Sequence, residues 1–293
     1  MGKLGGEMKV LAKKAGGSYK TVDDRIHIVQ RFRRHLRALN IQIQRVEQIR
    51  VRHIECYIQA RLAQEIGKRT LQNEMAALRA VLQQAGRKQV AEHERLTNKA
   101  LGLAGAPRHG TNLAITPEHY QQVLEAARDK DAGLAVTLEL ARLMGLRSQE
   151  AVQCRQSLKT WKQALERGET RLTVVFGTKG HRPRETVIQD AGAVKKVLEN
   201  ALSVAEQRNG RLIDRPSLQK AMNYWRKEIA KAGLTGIYTP HSLRYAWAQD
   251  AIRQYLAQGF SDKEALALTA MDLGHGDGRG RYVAQVYGRQ EEE

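Results

Sequence analysis

Thr239-Pro240-His241-Ser242-Leu243-Arg244-Tyr245, followed by Leu273-Gly274-His275 and then by Gln285-Val286-Tyr287, is the stretch that decides how this chain is read. His241 and Arg244 stand three residues apart, so a helix through them sets an imidazole and a guanidinium on one face. Upstream, Gly145-Leu146-Arg147-Ser148-Gln149-Glu150 offers a second guanidinium, and Gly177-Thr178-Lys179-Gly180 an ammonium on a tight turn. A guanidinium presents a planar fork to phosphate oxygens that an ammonium cannot reproduce. Imidazoles titrate near neutrality and can move protons, and a phenol can serve as nucleophile. Together these residues make an anion clamp, proton donors and a nucleophile, a set suited to chemistry on a phosphodiester.

Each of them alone has a plainer reading. Arg147 could answer the carbonyl dipoles of a helix end, Arg244 could form an exposed salt bridge, and either His could be a satisfied structural residue. A hairpin lysine is usually just solvated. The combination in this order weakens those readings, and Glu150, three residues after Arg147, is placed to hold its guanidinium. Asp272 and Asp277 flank His275, which raises a metal reading, but paired i, i+4 histidines are missing and no metal site is assigned. Two tyrosines compete as nucleophile, Tyr282 and Tyr287. Tyr282 directly follows the Gly/Arg-rich stretch 276–281, whereas Tyr287 follows apolar Val286.

The chain has 293 residues, enough for two domains, and a formal net charge of +18. A surface so basic implies a polyanionic partner. Residues 1–110 carry 22 Lys and Arg against 9 Asp and Glu, while the remainder carries 27 against 22. The electrostatic grip therefore concentrates in the N-terminal third. With three Phe and three Trp in the whole chain, a basic amphipathic membrane helix is the poorer reading, and double-stranded DNA the better one. No apolar run is long enough to span a bilayer, the N-terminus lacks a signal-peptide core, and Cys56 and Cys154 have no metal-ligand spacing. A cytoplasmic, nucleoid-associated protein with free thiols is expected.

Apolar residues at three- and four-residue steps predict helices over 19–39, 52–62 and 70–84. Arg31, Arg33, Arg34, Arg37, Lys68, Arg69 and Arg79 belong to the small helical domain that these helices build and are DNA-binding candidates. A Gly/Pro break, Ala104-Gly105-Ala106-Pro107-Arg108-His109-Gly110, precedes Thr116-Pro117-Glu118, which reads as a helix start. The boundaries expected are an N-terminal helical domain over 1–104, a linker over 105–115 and a second domain over 116–293. In the second domain, strands are expected at 171–176 and 185–188, joined by the Lys179 turn. Helices are expected over 134–144, 193–206, 219–232 and 243–257. His181, Arg182 and Arg184 extend a basic strip that could follow a DNA strand.

Over residues 116–287 the chain resembles the tyrosine recombinase (phage integrase) family, on the Gly-Leu-Arg-x-x-Glu, Thr-Lys-Gly, His-x-x-Arg, Leu-Gly-His and terminal Tyr motifs quoted above. The resemblance implies a mainly α fold: a SAM-like core-binding domain plus a mostly α catalytic domain with a small antiparallel sheet, the DNA breaking-rejoining fold. It implies catalytic roles for Arg147, Lys179, His241, Arg244, His275 and Tyr287, with Lys179 protonating the leaving 5′-oxygen, while the i, i+3 spacing assigns Glu150 to orient Arg147. It further implies a 3′-phosphotyrosyl intermediate, a homotetramer on two DNA sites, and no ATP, metal or other cofactor. DNA-bending accessory proteins are optional partners. Integration or excision of a mobile element is the expected role, favoured by the lengthened stretch after His275. The alternatives are Xer-like chromosome or plasmid dimer resolution, a DNA-binding regulator without catalysis, and a metal-dependent nuclease. The six-residue tail from Gly288 is too short for the docking helix that many relatives carry, which leaves the mode of assembly open.

Overall fold

A computed structural model of the chain describes residues 3–107 and 110–288. Arg108 and His109 of the expected linker, and the tail beyond Gly288, lie outside the described residues. The chain divides into two compact units between Pro107 and Arg108. The fold is mainly α with one two-stranded antiparallel sheet. Among the described residues no helix is long and apolar enough to cross a membrane.

The first unit contains α1 (Lys3–Lys14), α2 (Tyr19–Ala38), α3 (Val51–Ala63), α4 (Lys68–Gln84) and the single turn α5 (Lys88–Ala91). Ser18 caps α2 by accepting from the Thr21 amide at 3.2 Å. The expected stripes make the core: Val29, Phe32 and Leu36 of α2 meet Ile54, Tyr57 and Ile58 of α3 and Leu71, Met75, Leu78 and Leu82 of α4. Leu39 departs from expectation, because α2 ends at Ala38 and the leucine is exposed beyond it. Helix α1 was not expected either. Its Gly5-Gly6 pair lowers helix propensity, yet Leu4, Met8 and Ala12 fall on one buried face and packing overrides the cost.

The second unit opens with α6 (Pro117–Lys130), capped by Thr116 with proline in its first turn, and α7 (Ala132–Met144), capped by Asp131. Then come α8 (Ser148–Gln153), α9 (Leu158–Glu166), the hairpin of β1 (Arg171–Val174) and β2 (Arg184–Val187), α10 (Ala191–Glu206) and α11 (Leu218–Lys231). Last are α12 (His241–Ala257), α13 (Asp262–Asp272) and α14 (Gly280–Tyr287). The strands pair Arg171 with Val187 and Val174 with Arg184, so β1 is shorter and β2 begins one residue earlier than expected.

Two cores in this unit determine where the site sits. The larger packs α6 and α7 against α9, α10 and α11. The smaller gathers Tyr245, Trp247, Ala251 and Tyr255 of α12 with Ala265 and Ala270 of α13, Leu273, and Val283, Val286 and Tyr287 of α14. Gly145 ends α7 in the left-handed region, φ 58°, and a Cβ there would lie 2.6 Å from the Trp247 ring. Only glycine allows α7 to stop against α12, and that stop aims Arg147 at the site.

Candidate active site

Arg147 precedes the first turn of α8, and Glu150 at that turn reaches back to it. The Glu150 carboxylate accepts from the Arg147 amide at 2.8 Å and from its Nη1 at 2.6 Å. A capping carboxylate on a helix N-terminus is a common local motif; here the same group also fixes a guanidinium. Glu150 is fully buried and is shared further. Arg184 donates to it through Nε (3.3 Å) and Nη2 (2.7 Å), and Arg244 Nη1 lies 4.0 Å away. Burial alone would raise its pKa, but the charge and hydrogen bond of Arg184, with Arg244 and Arg147, hold it down to about 2. Three guanidiniums thus surround one carboxylate, an excess of two positive charges.

Helix α12 supplies the next pair. His241 is its first residue, its amide donating to Thr239 Oγ1, and Arg244 follows one turn on. Arg244 is fully enclosed: Nη1 donates to the Gly145 carbonyl, Nη2 to the Leu273 carbonyl, and Nε to Tyr287 Oη at 3.4 Å. Arg147 Nη2 shares the Leu273 carbonyl at 3.1 Å. The two arginines expected to clamp a phosphate are therefore joined through one backbone oxygen. Only Arg147, with 21% of its side chain exposed, shows an open edge. Burial, then the neighbouring Arg184, lowers the Arg244 pKa to about 10, which leaves it charged at neutral pH.

Tyr287 ends α14 with its ring buried in the smaller core and its hydroxyl in the site, 3.0 Å from His275 Nε2. Its ring centre is 6.0 Å from that of His241. Tyr282, one and a half turns earlier, is 41% exposed, and its ring packs edge-on against His275 at 4.9 Å without a hydrogen bond to Arg244. Of the two competing phenols, Tyr287 alone joins an imidazole and a guanidinium. Burial, followed by Arg244 and Arg147, lowers the pKa of His275 to about 3 and that of His241 to about 4, so both imidazoles are neutral here at pH 7.

Above these groups lies an open groove of 1020 Å³, walled by Arg147, His241, His275 and Tyr287 and, from the hairpin turn, by exposed Lys179 and Arg182. All six expected catalytic residues thus come to one groove or to its buried floor. His181 is exposed on the same turn. Arg184 is placed differently from expectation: it is buried and committed to Glu150, the Gly145 carbonyl (3.2 Å) and the Asp272 carbonyl. It cannot follow a DNA strand from there. The reason is the period of β2, where Arg184 and Thr186 point inward and Glu185 outward.

In the first unit, Arg34, Arg37, Lys68 and Arg69 are exposed, and Arg33 and Arg37 line an open groove with Lys3. Arg79 departs from the DNA-facing expectation, while Arg31 keeps 39% of its side chain exposed. Arg31 Nη1 donates to buried Glu74 at 2.5 Å, and Arg79 Nη2 to the Leu96 carbonyl at 2.5 Å. Two contributors escaped the sequence reading: Arg171 and Tyr255. Arg171 and the Tyr255 hydroxyl (2.6 Å) both donate to the buried Asp272 carboxylate. That engagement, and the Asp277 carboxylate accepting its neighbour's amide at 2.7 Å, leaves neither acid aimed with His275. Among the described residues no group of three or more His, Cys, Asp or Glu stands together as a metal cage.

Residues 102–250 match the family model described as Integrase, and residues 1–91 the one described as Phage integrase, N-terminal. No curated protein matches the chain. Among solved structures, the lambda integrase dimer bound to a COC′ core site superposes with a TM-score of 0.58 at 20% identity, covering 98% of this chain and 77% of that one. The lambda integrase tetramer bound to a Holliday junction gives the same values. XerH site-specific recombinase bound to a palindromic difH substrate gives 0.57 at 14% identity, covering 90% and 75%. At these identities the structures show a shared fold, and the matched family models carry the classification. The chain belongs to the tyrosine recombinase (phage integrase) family.

Proposed function

We propose that the chain is a site-specific DNA recombinase that cleaves and rejoins DNA through a 3′-phosphotyrosyl intermediate on Tyr287. The observation that carries this reading is the placement of the Tyr287 hydroxyl between His275 Nε2 at 3.0 Å and Arg244 Nε at 3.4 Å. Tyr287 Oη attacks the scissile phosphorus, the bond from phosphorus to O5′ breaks, and the phenolic proton passes to His275. The departing 5′-oxygen takes a proton from Lys179. The phosphoryl oxygens take the Nε edge of Arg244 that faces Tyr287, together with Arg147 and His241. The two excess positive charges stand where the transition state adds negative charge, which is the largest lever for this class of step. Burial first, and then the guanidiniums, keep the imidazoles weakly basic; an entering phosphate anion offsets the guanidiniums and so raises the proton affinity of both rings.

The phosphotyrosyl bond conserves the energy of the bond it replaces, so strand exchange needs neither ATP nor a metal ion. Integration or excision of a mobile element is the role we assign, supported by two matched models that are both of integrases. Double-stranded DNA is the partner, with a homotetramer on two sites as the working assembly. The exposed Arg34, Arg37, Lys68 and Arg69 of the first unit are its phosphate contacts. Incubation with a nicked duplex carrying the recombination site, in EDTA and without nucleotide, tests the reading. A protein–DNA adduct stable to denaturant is expected. Cleavage that appears only on adding Mg²⁺, with no adduct, would establish a nuclease instead.

A further inference from the structure

Arg184 has no role in the chemistry just described, yet it is among the most enclosed charged groups of the molecule, with 4% of its side chain exposed. Its donors go to three residues in two segments remote from its own strand. Nε and Nη2 hold both oxygens of Glu150, Nη2 also reaches the Gly145 carbonyl, and Nη1 donates to the Asp272 carbonyl. Gly145 and Glu150 bracket Arg147. Asp272 sits three residues before His275, and the next residue but one, Gly274, fits only because it lacks a side chain: a Cβ there would lie 2.7 Å from Arg184 Cδ. Arg184 itself begins β2, five residues after Lys179. A planar fork with five N–H donors makes all four of these bonds at once, where an ammonium has only three donors.

We propose that Arg184 is a positioning residue for strand cleavage, one guanidinium holding the Arg147 segment, the His275 segment and the Lys179 hairpin in a common register. The proposal rests on the recombinase reading for its effect on rate, but its geometric content stands apart from it. The Glu150 charge is balanced more by Arg184 than by Arg147, which leaves Arg147 able to turn to a phosphate without stranding a buried carboxylate. Because the side chain is enclosed, it transmits no contact to DNA.

The test uses the full chain carrying Arg184→Gln or Arg184→Lys, with Arg182→Gln as a phosphate-contact comparison. Equilibrium binding across a salt series gives the number of phosphates contacted, and single-turnover cleavage at saturating protein gives the rate. The expected result is an unchanged salt slope and affinity for both Arg184 variants, with cleavage slowed about ten-fold or more, as displacement of catalytic groups produces. Lysine should not rescue, since it keeps the charge but loses the fork. Arg182→Gln should lower the slope by about 0.9. Hydrogen exchange of the Gly274 and His275 amides, bonded to the Met271 and Ala270 carbonyls at 2.8 and 2.9 Å, reads the positioning without any reaction. It should quicken in both Arg184 variants at matched global stability. A slope reduced in Arg184→Lys, a full rate with it, or unaltered exchange would each overturn the proposal. Absence of an adduct from the unaltered protein would remove the recombinase reading, while the exchange result would still decide whether Arg184 holds the loop.

Discussion

Replacing Glu150 with glutamine keeps the shape of the side chain and removes the one negative charge that three guanidiniums share. The carboxylate accepts four hydrogen bonds, two from Arg147 and two from Arg184, with Arg244 at 4.0 Å. Glutamine offers one oxygen, and its NH₂ would face a guanidinium N–H. Removing one partner of a buried ion pair costs about 3–5 kcal/mol, most of it from charge left uncompensated. For a unit of this size 1 kcal/mol moves the melting temperature by roughly 2–4 °C, so Glu150→Gln should melt roughly 6–20 °C lower. The excess charge of the cluster rises from two to three, so sulfate or phosphate should restore more stability to the variant than to the unaltered protein. Chloride at equal ionic strength should not. Thermal and urea melts in the three salts measure this. A loss below about 1 kcal/mol, or an equal response to sulfate and chloride, would refute the view that Glu150 neutralises a preformed anion site.

Acid should weaken the protein through its imidazoles. His241 and His275 have folded-state values of about 4 and 3, below the ordinary 6.5, so at intermediate pH the unfolded chain binds protons that the folded one does not. Stability is whole above pH 6.5 and falls as pH drops, by at most about 2.7 kcal/mol per pH unit for two groups, less for the partly open edge of His275. Urea melts at pH 5 and pH 7 should show this, and a shallower pH dependence in a His241→Gln, His275→Gln double variant identifies the source. Joint replacement of Arg34, Arg37, Lys68 and Arg69 by glutamine should lower the salt slope of DNA binding by about 3–4, whereas Arg79→Gln, whose guanidinium bonds the Leu96 carbonyl, should leave it unchanged. Tyr282→Phe should still form the covalent adduct, because the hydroxyl bonded to Arg244 and His275 is that of Tyr287.

The long amphipathic helices were legible because their stripes repeat over several turns, as with Leu71, Met75, Leu78 and Leu82. The residues that meet at the groove could be picked out because their motifs are local. What escaped is what only the tertiary fold brings together. The Gly145 and Leu273 carbonyls, each shared by two arginines, have no signature in sequence. Arg184 lay in a basic run and looked solvated, although the alternation Arg184, Thr186, Ile188 against Leu172 and Val174 could have assigned it to the inner face. Arg79 misled in a different way, since a loop seventeen residues away supplies its carbonyl partner. Helix α1 was hidden by two glycines, one of which packs where a Cβ would lie 2.9 Å from Arg33.

The most direct measurement is the site of covalent attachment. A nicked duplex that lets the 5′ fragment diffuse away traps the intermediate, and mass spectrometry of the digested adduct locates the nucleotide. The phosphodiester should be found on Tyr287, with Tyr287→Phe binding DNA normally and forming no adduct. Nucleotide on Tyr282 would contradict the placement of the nucleophile at the end of α14, and DNA on neither tyrosine would contradict covalent catalysis itself.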